Sequence, residues 1–132
     1  MDRYYKIKVK TMFKYNAEIV RVIDGDTVVA MVDLGFSTWT KTTIRFYGIN
    51  TPESRTRDLE EKARGLAAKG RLMEMLDSND NKFILQSHGI GKYGRCLGTL
   101  YVPSIENEKE LVDINMTLVN EGHAVEYMGG KR

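Results

Sequence analysis

Ala17-Glu18-Ile19-Val20-Arg21-Val22-Ile23-Asp24-Gly25-Asp26-Thr27-Val28-Val29-Ala30-Met31-Val32 sets the architecture of this chain. Both halves are rich in β-branched residues and alternate too often for a helix face, so each reads as a strand. Between them, Asp24-Gly25-Asp26 is a strong turn signal. Glycine accepts the backbone angles of a tight turn, and aspartate bonds to its own backbone. The segment is therefore a β-hairpin.

On its N-terminal side, Ile7-Lys8-Val9 extends the strand character back toward Tyr5. On the other side, a looser turn at Asp33-Leu34-Gly35-Phe36-Ser37 leads through Trp39, read as a packing residue, into a third strand over Thr42 to Ile49. A polar loop follows Asn50-Thr51-Pro52-Glu53. From Asp58 to Leu76 the residues Leu59, Ala63, Leu66, Ala67, Leu72, Met73 and Leu76 recur near helical spacing, which predicts one long helix with these positions inward. Short strands are expected at Lys82 to Ser87 and Leu97 to Val102, around the glycine-rich loop from His88 to Arg95. Val112 to Glu121 reads as a second helix, with Asp113 near its start and Gly122 past its end. The methionines read mostly as core fill, and Gly129-Gly130-Lys131-Arg132 as a frayed end. The predicted fold class is α+β, mainly β: a five-stranded closed barrel with a long helix after strand 3 and a second helix near the C-terminus.

A length of 132 residues suits one domain, with its core over about residues 16–127. Hydrophobic residues at 42% and charged residues at 29% exclude a disordered or membrane-embedded chain. The net charge of +2, from 20 basic and 18 acidic residues, means that attraction to a polyanion must come from local patches. Cys96 has no internal disulfide partner and no zinc-ligand spacing around it, and reads as a small buried apolar residue. The N-terminal stretch alternates charge with apolar residues and holds no run fit for a signal peptide or membrane span. An intracellular location, in a cell or virus-encoded, and no membrane partner are the matching expectations.

Hydrolysis of a phosphodiester needs positive groups on the non-bridging oxygens, a carboxylate to orient or deprotonate water, and commonly a divalent metal. The chain offers Asp24 and Asp26, then Arg45, Asn50 and Glu53, then Lys92, Tyr93 and Arg95. Each alone has a plainer explanation: a turn, a solvated strand residue, an exposed basic loop. Their order and wording raise the functional reading. His88 and His123 have no partner at ligand spacing and are left outside the site.

Val22-Ile23-Asp24-Gly25-Asp26-Thr27, Ile44-Arg45-Phe46-Tyr47-Gly48-Ile49-Asn50-Thr51-Pro52-Glu53, Lys92-Tyr93-Gly94-Arg95 and Asp113 to Ala124 form an ordered series. In this series the sequence resembles the staphylococcal-nuclease-like (thermonuclease) family. The resemblance implies an OB-fold barrel and a Ca²⁺-dependent nuclease that cuts DNA or RNA, leaving a 3′-phosphate and a 5′-hydroxyl. It implies that Arg45 and Arg95 hold the scissile phosphate and stabilise the transition state, and that Glu53 positions or deprotonates the attacking water. Asp26 and Asn50 would be metal ligands, with the Thr51 backbone carbonyl, and Asp24 would act behind them or through water. Lys92, Tyr93 and Tyr127 would contact the bound nucleotide. The partner would be single-stranded or frayed DNA or RNA, met by a monomer.

Asn50 departs from the pattern, because the family carries aspartate there. Asparagine keeps an oxygen but loses the charge, which predicts a raised calcium requirement or another metal preference. The hairpin from Met31 to Thr43 is longer than the family's minimal form, and little chain follows Tyr127 to build a third helix. The alternative function is a non-catalytic OB-fold that holds single-stranded nucleic acid, having lost full metal binding through Asn50. A protein-interaction barrel is a third. Glu53 between two arginines favours catalysis, since a barrel that merely binds has no need of that carboxylate.

Overall fold

The computed structural model describes residues 13–127. The strand character expected at Ile7-Lys8-Val9, back toward Tyr5, and the frayed end expected over Gly129 to Arg132 lie outside the described residues.

The hairpin forms as predicted from β1 (Lys14–Asp24) and β2 (Thr27–Gly35), paired antiparallel from Ala17↔Val32 to Asp24↔Thr27. Register irregularities between Ile19 and Arg21 and between Val22 and Asp24 bend β1, as closing a small barrel requires. The third strand, β3 (Thr38–Phe46), starts earlier and ends earlier than predicted, because Gly35, Phe36 and Ser37 all take positive φ and complete the turn first. Trp39 consequently sits at the start of β3 opposite Asp33 and is 48% exposed, so it is not a core packing residue.

The chain then forms β4 (Ile49–Asn50), helix α1 (Leu59–Asp77), β5 (Lys82–Ile90), β6 (Cys96–Pro103), β7 (Leu111–Asp113), helix α2 (Ile114–Asn120) and β8 (Val125–Glu126). The sheet order is β3-β2-β1-β5-β6-β7, and a parallel pairing of β3 with β6, from Ile44↔Cys96 to Phe46↔Gly98, closes strands β1, β2, β3, β6 and β5 into a barrel. This is an α+β OB-fold, with β4, β7 and β8 as short additions and β4 standing between strand 3 and the long helix.

Inward residues of the strands, including Val28, Ala30, Ile44, Phe46, Leu85 and Leu100, fill the barrel, and Ile114 and Leu118 of α2 join the same core. Cys96 is buried, as expected. Among the described methionines, Met75 is buried while Met73 and Met116 are exposed, so core fill fits only part of the set.

Helix α1 starts where its chemistry dictates: the Asp58 carboxylate accepts from the Glu60 and Glu61 N–H groups, at 3.0 and 3.2 Å. Its buried face, however, is Gly65, Ala68, Leu72, Met75 and Leu76, while Leu59, Leu66 and Met73 are exposed. The predicted face is thus turned by part of a revolution. The reason is close approach: a Cβ at Gly65 would run into the Glu53 carbonyl and lie 2.8 Å from the Ser54 nitrogen. One at Gly25 would lie 2.8 Å from the Ala68 Cβ. Small residues, and not large ones, mark the face that meets the site. At the far end, Arg71 grips Glu121 through two contacts of 2.6 and 2.9 Å and ties α1 to the C-cap of α2. No helix among the described residues is long and apolar enough to cross a membrane.

Candidate active cleft

The β1–β2 turn carries Asp24 and Asp26. It lies under α1 with Gly25 and Asp26 buried, instead of standing out in solvent as turns usually do. The Asp26 carboxylate accepts from the Thr51 N–H at 2.9 Å and from the Thr27 hydroxyl at 2.9 Å, with Arg45 Nη1 at 3.4 Å. Asp24 accepts from both the backbone N–H and the hydroxyl of Ser54. The two aspartates therefore fasten the loop that holds Glu53 between Thr51 and Ser54. The Glu53 N–H donates in turn to Glu61 Oε2 on the first turn of α1, at 3.2 Å. Its own carboxylate is left without a hydrogen-bond partner among the described residues and faces the cleft.

Arg45 comes from the last turn of strand before β3 leaves the barrel, and its side chain is only 15% exposed. Nη1 donates to the Phe46 carbonyl and Nη2 to Asn50 Oδ1, each at 3.1 Å. A guanidinium has five N–H donors, so most of the fork remains for an anion. Arg95 follows Gly94, whose φ of 74° turns a tight loop closed by Gly91 N–H to the Arg95 carbonyl at 2.8 Å. The Arg95 guanidinium lies 5.5 Å from the Tyr93 ring centroid.

Asp24, Asp26, Arg45, Asn50, Thr51, Glu53 and Arg95 line one open cleft of about 660 Å³. A neighbouring cavity of about 370 Å³ is lined by Lys92, Tyr93 and Tyr127 and shares Arg45 and Arg95 as its common wall. All ten residues singled out from the sequence are thus gathered around two adjoining spaces. Tyr127 reaches its place because β8 pairs with β4, Asn50↔Val125, and the Tyr127 N–H donates to the Gly48 carbonyl at 2.8 Å.

Four further contributors were not picked out from the sequence: Glu61, Arg64, His123 and Tyr47. His123 follows Gly122, whose φ of 84° ends α2 and turns the chain into the cleft. Tyr47, on the wall of the second cavity, stacks on His88 at 4.0 Å and 12° between planes, and His88 Nε2 meets Thr99 Oγ1 at 2.8 Å. Desolvation under that stack pulls the His88 pKa below its ordinary value, outweighing the attraction of Asp113. Spacing along the chain gives no sign of this pair, since its partners lie 41 residues apart.

A hard cation would find oxygen donors here: the Asp26 carboxylate, which retains lone-pair capacity, the Asn50 amide oxygen and Thr51. The buried Thr51 Oγ1 has no hydrogen-bond partner among the described residues. No three His, Cys, Asp or Glu side chains converge as a metal-holding group among the described residues. The donor set fits a hard divalent ion held by few protein charges, with water completing its shell.

The family model for staphylococcal nuclease homologues matches residues 43–131. A micrococcal nuclease of Shigella flexneri is 28% identical over 123 residues, which cover 92% of this chain and 63% of that protein. The chain thus spans less than two thirds of the length of the curated relative. With its closed barrel, its two helices and the match over most of its length, the chain belongs to the staphylococcal nuclease family.

Proposed function

We propose that the chain is a nuclease that hydrolyses the phosphodiester backbone of DNA or RNA with the help of a divalent metal ion, Ca²⁺ being the one the family suggests. The observation that carries this reading is the pairing of an unpartnered Glu53 carboxylate with Arg45 and Arg95 in one cleft. Arg45 and Arg95 bind the non-bridging oxygens of the scissile phosphate, and their fixed forks neutralise charge as it builds in the transition state. Glu53 takes a proton from the attacking water, or orients it, while the proton on the departing 5′ oxygen comes from solvent or a neighbouring group. Asp26, Asn50 and Thr51 would hold the metal, which would supply polarisation of the phosphate when bound. Asp24 acts behind them through Ser54. Lys92, Tyr93 and Tyr127, which line the second cavity, hold the adjoining nucleotide of a single or frayed strand, and one monomer contains every group named.

Four carboxylates and three arginines line the main cleft. A polyanion entering such a space needs further positive charge, which supports the metal. Asn50 is the residue that favours a second reading, a binding barrel that does not cut. Cleavage of single-stranded DNA across a Ca²⁺ titration, with an EDTA control, decides between them. Metal-dependent cutting that falls at least ~10²-fold in folded Glu53→Gln and Arg45→Ala proteins is expected. Tight binding without cutting under any divalent metal would assign the barrel to binding alone.

A further inference from the structure

We propose that Arg64 is a substrate-binding group for the backbone phosphate next to the scissile one, on the side of the cleft away from Lys92 and Tyr93. The inference rests on the nuclease reading and names how the strand continues beyond it. Arg45 and Arg95 form the wall shared by two cavities, so a strand centred on them has two ways to run. One leads into the cavity of Lys92, Tyr93 and Tyr127. The other crosses the main cleft toward the first turns of α1, where Arg64 is the cation that lines it.

The geometry holds Arg64 there. Glu61 and Arg64 are three residues apart and share a helix face. Glu61 is bonded to the Glu53 N–H, and the Gly65 contact with Glu53 and Ser54 fixes the height of the helix above the loop. Arg64 is exposed and has no ion-pair partner among the described residues. Arg71, two turns further along the same helix, is by contrast committed to Glu121. Arg55, Arg57 and Lys62 lie nearby in sequence but do not line the cleft. A permanently charged, unpaired fork in a cleft that must accept a polyanion is suited to a phosphate.

The test measures binding of a fluorescent oligothymidylate by Glu53→Gln protein, with and without Arg64→Gln or Arg64→Lys, across a salt series. Loss of one charge-assisted phosphate contact should weaken binding about tenfold. It should also lower the slope of log affinity against log salt by about 0.7, with lysine restoring most of the slope. In the Glu53-containing protein, Arg64→Gln should depress cleavage of the oligonucleotide about tenfold more than cleavage of a dinucleoside monophosphate, which has no neighbouring phosphate. An unchanged slope and affinity overturns the proposal, as does an equal loss on both substrates, which would put Arg64 on the scissile phosphate. A parent chain that binds but never cuts sinks the nuclease reading while the salt slope still decides Arg64. A parent chain that does not bind at all overturns both.

Discussion

Replacing Gly65 by alanine adds a single methyl group to the middle of a helix, where alanine is intrinsically favoured by about 1 kcal/mol. Here the new Cβ would meet the Glu53 carbonyl and stand 2.8 Å from the Ser54 nitrogen. Both are backbone atoms, so no side chain can swing aside. Either α1 lifts or the Thr51–Ser54 loop shifts, by something on the order of 1 Å, and overpacking of this kind costs about 1–3 kcal/mol. Offset by the gain in propensity, the net loss of stability should be about 0–2 kcal/mol. Activity should suffer more, because a misplacement of ~1 Å at a catalytic group costs ~10²-fold. Gly70, on the same helix, is the control: nothing lies within 4 Å of the position its Cβ would take. Gly70→Ala should therefore gain about 0.5–1 kcal/mol and keep its activity. Urea unfolding and oligonucleotide cleavage, run side by side on the two variants, read both quantities. Equal stability gains and full activity in both would refute the idea that Gly65 sets the position of Glu53.

Asn50→Asp should restore an anionic oxygen beside Arg45 and Asp26 and lower the Ca²⁺ concentration needed for half-maximal cleavage, by roughly tenfold if one charge contributes about 1.4 kcal/mol. An unchanged or raised calcium requirement would show that Asn50 does not set it. Asn115 is 2% exposed, accepts from the Leu100 N–H, and donates to the Tyr47 and Gly98 carbonyls. Asn115→Leu removes those three hydrogen bonds, although the Gly98 carbonyl keeps the Tyr47 N–H at 2.7 Å, and should cost about 3 kcal/mol in urea unfolding, whereas a loss below ~1 kcal/mol would mean that water replaces the amide. The folded pKa of His88 is lowered, so the unfolded chain binds the extra proton first. Stability should therefore decline as pH falls from just above the ordinary histidine value of about 6.5 to the lower folded value, and level off below it. A His88→Gln protein should lack this one-proton component in unfolding measured from pH 8 to 5; an identical pH profile would remove His88 as its source.

Local chemistry made several features legible in the sequence. Asp24-Gly25-Asp26 between two β-branched runs specified a hairpin because turn residues and period-2 patterns act over a few positions. Asp113 marked the start of the second helix because a cap is a bond to the next few N–H groups. The chemical types at Arg45, Glu53 and Arg95 suggested phosphodiester hydrolysis, and their wording identified the family. Tertiary structure alone decided which face of α1 is inward, since Gly65 and Ala68 face the site because they are small, a property that a search for large apolar residues passes over. It alone turned the two aspartates into clasps for the Glu53 loop through Thr51 and Ser54, and brought Arg64 and His123 to the cleft wall. These contacts join residues 25 and more positions apart, and nothing in local propensity encodes the distance across a closed barrel.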